Sequence, residues 1–101
     1  MKNNISSGFQ ILQDLIKLRW VPEITMSIDE GNHRYTDIKK SIHEISHTEL
    51  NRKLSILIEK GVILKKDNTD NDAYNLLKFG EDLLHIFYHL EDLQEKYCQR
   101  Y

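Results

Sequence analysis

The residues with the clearest chemistry lie between positions 46 and 60. Ser46 stands three residues ahead of Glu49. That S-x-x-E spacing lets a hydroxyl and a carboxylate cap the first turn of a helix. Leu50, Leu54, Leu57 and Ile58 follow at helical spacing and make one inward stripe. At about 100° per residue, Thr48, Arg52, Ser55 and Glu59 fall roughly opposite, with Asn51 beside them. Arginine bonds guanine through two donors, asparagine does the same for adenine, and hydroxyls bond either base. A capped helix with this outer face can read base edges in a major groove, chiefly through its N-terminal part. The plainer alternative is a solvated polar face, which any surface helix carries.

Base reading needs cations nearby, because phosphate contacts supply most of the attraction. The 101-residue chain carries 14 Lys and Arg against 16 Asp and Glu, a net charge of −2. Taken whole, that balance argues against a polyanion partner. The charge is unevenly placed, however. Residues 1–32 hold three bases and four acids, a net −1. Residues 33–66 hold eight bases and four acids, a net +4, and residues 67–101 hold three and eight, a net −5. Screening confines each charge to about 8 Å in physiological salt, so the local block matters more than the total. Lys39, Lys40, Lys53, Lys65 and Lys66 are expected to meet phosphates. His33, His43 and His47 add charge to the same block below about pH 6.5. The expected DNA surface is Thr36, Lys39, Lys40, Ser46, His47, Thr48, Asn51, Arg52, Lys53, Ser55, Lys65 and Lys66.

Other constellations carry less. His85 and His89 are four residues apart, with Glu81 and Asp92 on the same side of a helix. The spacing can hold zinc, but a structural site usually adds sulfur ligands, and a solvated stripe is the simpler reading. The acids from 67 to 72 lack the glycine and terminal glutamate of a calcium loop. No Gly-rich phosphate loop, nucleophile elbow or HExxH motif occurs. None of the five histidines has a Ser, Asp or Cys partner at a recognisable spacing. No catalytic residue, metal or cofactor is expected, and the chain does not read as an enzyme. The single Cys98 forbids an internal disulfide and suits a reducing cytoplasm. No stretch has the apolar length of a signal peptide or membrane span.

The elements that would position this surface follow from punctuation and periodicity. Apolar spacing predicts a helix over residues 9–18. Pro22 opens a second, which Gly31 stops. A helix of about two turns covers 35–42, with Ile38 and Ile42 facing the core. Residues 43–45 form a turn, and the capped helix runs from 46 to a stop at Gly61. The apolar residues 62–64, with β-branched Val62 and Ile63, and the segment 73–76 form a hairpin across a polar turn at 67–72. A long helix runs from 78 to about 97. Hydrophobic residues at 40% suffice for one modest core, so a single domain is expected over 1–101. The fold class is mainly α with a small β-hairpin. It reads as a winged helix-turn-helix: the helix-turn-helix at about 35–61, the wing at 62–77 and the last helix at 78–98. That last helix is too long to bury its apolar side on so small a core. A second copy is the expected remedy. The expected interface comprises Phe9, Leu12, Leu83, Phe87, Leu90 and Tyr97.

Several segments together resemble the HxlR-type winged-helix regulators, relatives of the MarR group. Trp20-Val21-Pro22 resembles that family's W-x-P. Arg34-Tyr35-Thr36-Asp37-Ile38 is similar to its R-F-x-E-L. Ile45-Ser46 with Leu50, Leu54, Leu57 and Gly61-Val62-Ile63 follows its central helix pattern, and Tyr74-Asn75-Leu76 with Phe79-Gly80 resembles its Y-x-L-x-x-x-G. The match covers about residues 11–93. The resemblance implies a cytoplasmic, dimeric transcription factor whose two recognition helices enter successive major grooves. Family members often carry a cysteine just ahead of the first helix. Here that stretch has none, so thiol sensing does not carry over. Asp67, Asp70 and Asp72 stand where a phosphate-contacting wing tip would prefer bases, which leaves Lys65, Lys66 and Asn68 for the wing. The expectation is a homodimeric regulator reading a pseudo-palindromic promoter site, with a small-molecule effector left open. The competing expectation is a winged-helix protein-interaction module without DNA binding.

Overall fold

The recognition-helix candidate ends where backbone chemistry forces the chain to turn. Gly61 has φ of 76°, in the left-handed region that a glycine adopts without a Cβ penalty. Its N–H bonds the carbonyl of Ile58 at 3.1 Å, and the Val62 N–H bonds that of Leu57 at 2.9 Å. This paired closure satisfies two helix-end carbonyls and drives the next residue inward. Val62 is accordingly fully buried. The second helix ends the same way: Gly31 N–H bonds Ile28 and Asn32 N–H bonds Ser27.

The computed structural model describes residues 2–67 and 72–98, with side chains from 9 to 66 and 73 to 98. Among them the order is α1 (Lys2–Lys17), α2 (Val21–Asp29), α3 (Tyr35–Ser41), α4 (His47–Glu59), β1 (Ile63–Asp67), β2 (Asp72–Leu76) and α5 (Lys78–Tyr97). The fold is five helices and a two-stranded antiparallel wing, as the segment order predicts. The wing pairs Ile63 with Leu76 and Lys65 with Tyr74. The loop before α3 adds a third edge, because Tyr74 N–H bonds the His33 carbonyl at 2.7 Å. The polar turn expected at 67–72 is shorter, because Asp67 ends β1 and pairs with Asp72 at the start of β2; the rest of it, with Asn68 and Asp70, lies outside the described residues.

Burial follows the helical periodicity. Ile24 and Ile28 of α2, Ile38 of α3, and Leu50, Leu54 and Leu57 of α4 meet Val62, Ile63, Tyr74, Leu83 and Phe87 in one core. Ile42 and Ile45 from the turn between α3 and α4 join them. Each such side chain contributes about 1.5–3 kcal/mol when fully buried. Polar groups inside are paired. Thr25 donates to the carbonyls of Val21 or Pro22 within its own helix. Ser27 and Ser41 share a hydrogen bond of 2.6 Å that joins α2 to α3. Trp20 precedes α2 at φ 75°, an unfavourable conformation for a non-glycine residue. Its ring packs on the core and lies 4.6 Å beneath the Arg19 guanidinium, which holds the corner.

Several expectations change. Helix α1 starts at Lys2 rather than 9, because residues 2–8 are helical without an apolar stripe to announce it. Ile58 is 39% exposed and not part of the inward stripe. It sits about 75° from the centre of the Leu50/Leu54/Leu57 face, beyond the edge of the core. Leu83 and Phe87 are buried in the chain's own core, and Leu12 packs against it. Leu83 and Phe87 are therefore not free interface residues, and Leu12 offers only a partly exposed side. Phe9, Leu90 and Tyr97 are exposed, as an interface would require. At its other edge α5 is tied to α2 by Tyr88, whose hydroxyl donates to Asp29 at 3.3 Å. Desolvation, with the Asp29 carboxylate beside it, raises that phenol above its usual range.

Gly80 sets the approach of α5 to the wing. A Cβ there would collide with the backbone carbonyl of Val62 and crowd a methyl of Leu76. A backbone carbonyl cannot rotate aside, so Gly80→Ala should cost about 1–3 kcal/mol as overpacking. A fall in the urea midpoint with unchanged slope would register it; an unchanged midpoint would mean that α5 shifts freely.

Candidate nucleic-acid interface

The geometry of the surface starts at the cap. Ser46 has extended backbone, and its Oγ accepts from the Glu49 N–H at 3.1 Å. That bond satisfies one of the donors left open at a helix start. Glu49 does not return the bond to Ser46. Its carboxylate lies 3.3 Å from Lys53 Nζ and 3.6 Å from Arg52 Nη1. Half of the capping box forms, and the other half is replaced by ion pairs.

With the leucine stripe buried, Thr48, Asn51, Arg52 and Ser55 all emerge into solvent on the opposite side of α4. Thr36 and Lys40 are exposed on α3, and Lys39 is half-buried there. Lys65 and Lys66 are exposed on β1. Lys65 carries its ammonium 5.8 Å from the Tyr74 ring. The cations of α3, α4 and the wing base thus belong to the same continuous stretch of chain.

Lys53 departs from expectation. It is buried to 6% exposure and paired with Glu49, so it is not available to a phosphate. Its place on the wheel explains this: Lys53 lies only about 65° from the centre of the leucine stripe, closer than Ile58. Its aliphatic stem lies along the core edge, and its charge is neutralised within the helix.

Tyr35 packs against the core, and its pairing with His47 is what sequence reasoning missed. Its ring stacks on His47 at a centroid distance of 5.8 Å and an angle of 11°. Its hydroxyl lies 2.9 Å from His47 Nδ1 and donates to the His47 carbonyl at 3.3 Å. The pair ties the start of α3 to the first residue of α4 and fixes the angle between the two helices. A tyrosine twelve positions ahead of a histidine carries no signal of its own. His33 is engaged elsewhere, with Nδ1 2.9 Å from the Tyr74 carbonyl. His85, His89, Glu81 and Asp92 are exposed on α5, and Cys98 is exposed at its end. Among the described residues, no group of three or more His, Cys, Asp or Glu is placed to hold a metal ion. No helix among them is long and apolar enough to cross a membrane.

A two-turn helix, a short turn, a capped helix and an immediate β-hairpin define a winged helix-turn-helix, a DNA-binding class. The sequence profile of the HxlR-like helix-turn-helix family matches residues 15–101, and the chain belongs to that family. Solved structures agree. A structure from Porphyromonas gingivalis W83, assigned to the MarR family of transcriptional regulators, is 25% identical, with a TM-score of 0.76 over 88% of this chain and 90% of that one. The reduced form of the transcriptional regulator YodB from B. subtilis is 22% identical, with a TM-score of 0.77 over 97% and 95%. A structure from Thermoplasma volcanium GSS1 assigned to the HxlR family is 20% identical, with a TM-score of 0.72 over 87% and 82%. No curated protein matches by sequence.

The cap is testable by itself. Ser46→Ala should lower folding stability by about 1 kcal/mol in chemical denaturation. It should also speed amide exchange at Glu49, whose N–H loses its acceptor; unchanged exchange there would show that the cap contributes nothing.

Proposed function

We propose that this chain is a homodimeric, sequence-specific transcriptional regulator that acts in the cytoplasm on a pseudo-palindromic promoter site. The observation that carries the reading is the outer face of α4. Thr48, Asn51, Arg52 and Ser55 are all exposed there, on a helix whose opposite stripe is locked in the core. Ser46 ends its role in the cap, and Thr36, Lys39, Lys40, His47, Lys65 and Lys66 supply the phosphate contacts from α3, the start of α4 and the wing base. Lys53 is left out, since its charge is internal.

The dimer reading rests on α5 and α1. Ile86, Leu90, Leu93 and Tyr97 are exposed at spacings of four, three and four residues. That is the a/d pattern of a helix seam. The stripe lies about 100° around α5 from the side that meets the chain's own core. Phe9, Ile11 and Ile16 on α1 are exposed as well. Between them lies a mainly apolar cleft of about 260 Å3 lined by Ile16, Pro22, Met26, Phe87 and Leu90, with Glu91 and Gln94 at its polar side. Two copies brought together on these faces would give paired recognition helices, which a two-fold DNA site requires.

The competing protein-interaction reading predicts no salt-dependent binding of random duplex at micromolar protein in low salt. Under the proposal, Arg52→Ala relaxes sequence preference, whereas Lys40→Ala weakens binding to all sequences. The latter also flattens the salt slope by about one unit. An equal loss on specific and random duplex for Arg52→Ala would sink the base-reading role. Replacing both Leu90 and Leu93 with Glu should convert the dimer to a folded monomer in sedimentation; a dimer that survives would move the interface elsewhere.

A further inference from the structure

We propose that Glu49 is a positioning residue for DNA recognition, held in place by buried Lys53 and in turn orienting the guanidinium of Arg52. The inference rests on the DNA-reading role of α4 argued above. One carboxylate oxygen serves both cations: Glu49 Oε1 lies 3.3 Å from Lys53 Nζ and 3.6 Å from Arg52 Nη1. The three side chains differ sharply in exposure, at 7% for Lys53, 36% for Glu49 and 64% for Arg52. They form a chain of charge from the core edge to the reading face.

The inner pair is not an ordinary surface bridge. Exposed ion pairs contribute little, because two mobile side chains must be ordered for a screened attraction. Lys53 is already ordered by burial, and a buried ammonium left without a counter-charge is strongly unfavourable. The pairing therefore pins the carboxylate. The backbone of Glu49 is fixed as well, through its N–H to Ser46. On the wheel Glu49 falls between Lys53 and Arg52, so the pinned carboxylate flanks the edge of the reading face.

Two effects follow for Arg52. Its guanidinium is drawn toward the pinned carboxylate by an ion pair of 3.6 Å, longer than a hydrogen bond, which biases its direction before DNA arrives and lowers part of the ordering cost of a directed contact with a base. Part of its charge is also balanced, which weakens indiscriminate attraction to phosphate. Glu49 thereby trades non-specific affinity for base preference at the position that Arg52 reads.

Glu49→Gln tests this, because the amide keeps the side-chain length and the backbone N–H. Binding is measured on a duplex chosen by in-vitro selection with the wild-type protein and on random duplex, over a salt series. Arg52→Ala first identifies the base position in question. Glu49→Gln should bind random duplex about threefold to tenfold more tightly and steepen the salt slope by about one unit. It should flatten preference at the Arg52 position and keep preference elsewhere. The double variant Glu49→Gln/Lys53→Met removes the ammonium that would otherwise be stranded. It should melt like the wild type and bind like Glu49→Gln. Unchanged preference and slope, or an equal loss at every position, would overturn the proposal. So would a double variant that melts like the wild type yet keeps the wild-type preference and slope. If the wild type itself binds no duplex, the DNA-reading role fails first and this inference with it.

Discussion

Val62 is the junction on which the rest of the structure depends. Its amide closes α4 on the carbonyl of Leu57, and its carbonyl accepts from Leu77 N–H at 3.0 Å where α5 begins. Its side chain is fully buried, and Gly80 comes against its backbone. One residue therefore joins the recognition-helix candidate, the first wing strand and the long last helix. Because each link is a backbone hydrogen bond or a steric contact, the mutual angles of these elements have little freedom. The angle between α3 and α4 is set separately, by Tyr35 on His47 and by Ile42 and Ile45 packed beneath the turn.

This rigidity is what gives the exposed face of α4 a meaning. Burial of Leu50, Leu54 and Leu57 turns Thr48, Asn51, Arg52 and Ser55 outward as a unit. A surface helix free to rotate would present no fixed pattern to a groove. Here the pattern is held from beneath by the leucines, at the start by the Ser46 cap, and at the end by the Gly61 closure. Such preorganisation is the condition for reading bases by direct hydrogen bonds.

The elements were legible in the sequence wherever a local signal decided them. The Ser46 cap, the Gly31 and Gly61 stops, Pro22 in the first turn of α2 and the hairpin after α4 all depend on residues within one turn of each other. The outer face of α4 was legible for the same reason, since a helical wheel needs only the helix. What escaped depends on distances along the chain or on the edge of a stripe. Lys53 and Ile58 lie at similar angles on either side of the core face, and hydropathy alone places the isoleucine inside. The structure does the reverse, because the ammonium finds Glu49 one turn earlier. Leu83 and Phe87 looked like interface residues beside Leu90, but the wing and α2 supply a core for them that no local pattern reveals. The Tyr35–His47 stack spans twelve residues and two helices, and only the tertiary turn brings it together.

The exchange between Lys53 and Ile58 also changes how the charge is understood. The stretch from 33 to 66 has a formal +4, but buried Lys53 pairs with the same Glu49 oxygen that Arg52 approaches. Removing that internal pair leaves the net value untouched while narrowing it to exposed groups on α3, the outer face of α4 and the wing base. The acidic residues of 67–101 begin at Asp67, the end of β1, and most of them stand on exposed positions of α5. A net-acidic protein of this kind gains little by binding any polyanion at random, because its excess of acids offsets the local basic block. The opposing charge of α5 then acts as a constraint on docking. Under the proposed reading, DNA that approaches along α5 meets the exposed carboxylates of Glu81, Asp82, Glu91, Asp92 and Glu95, and repulsion there adds to attraction at α4 in selecting the approach.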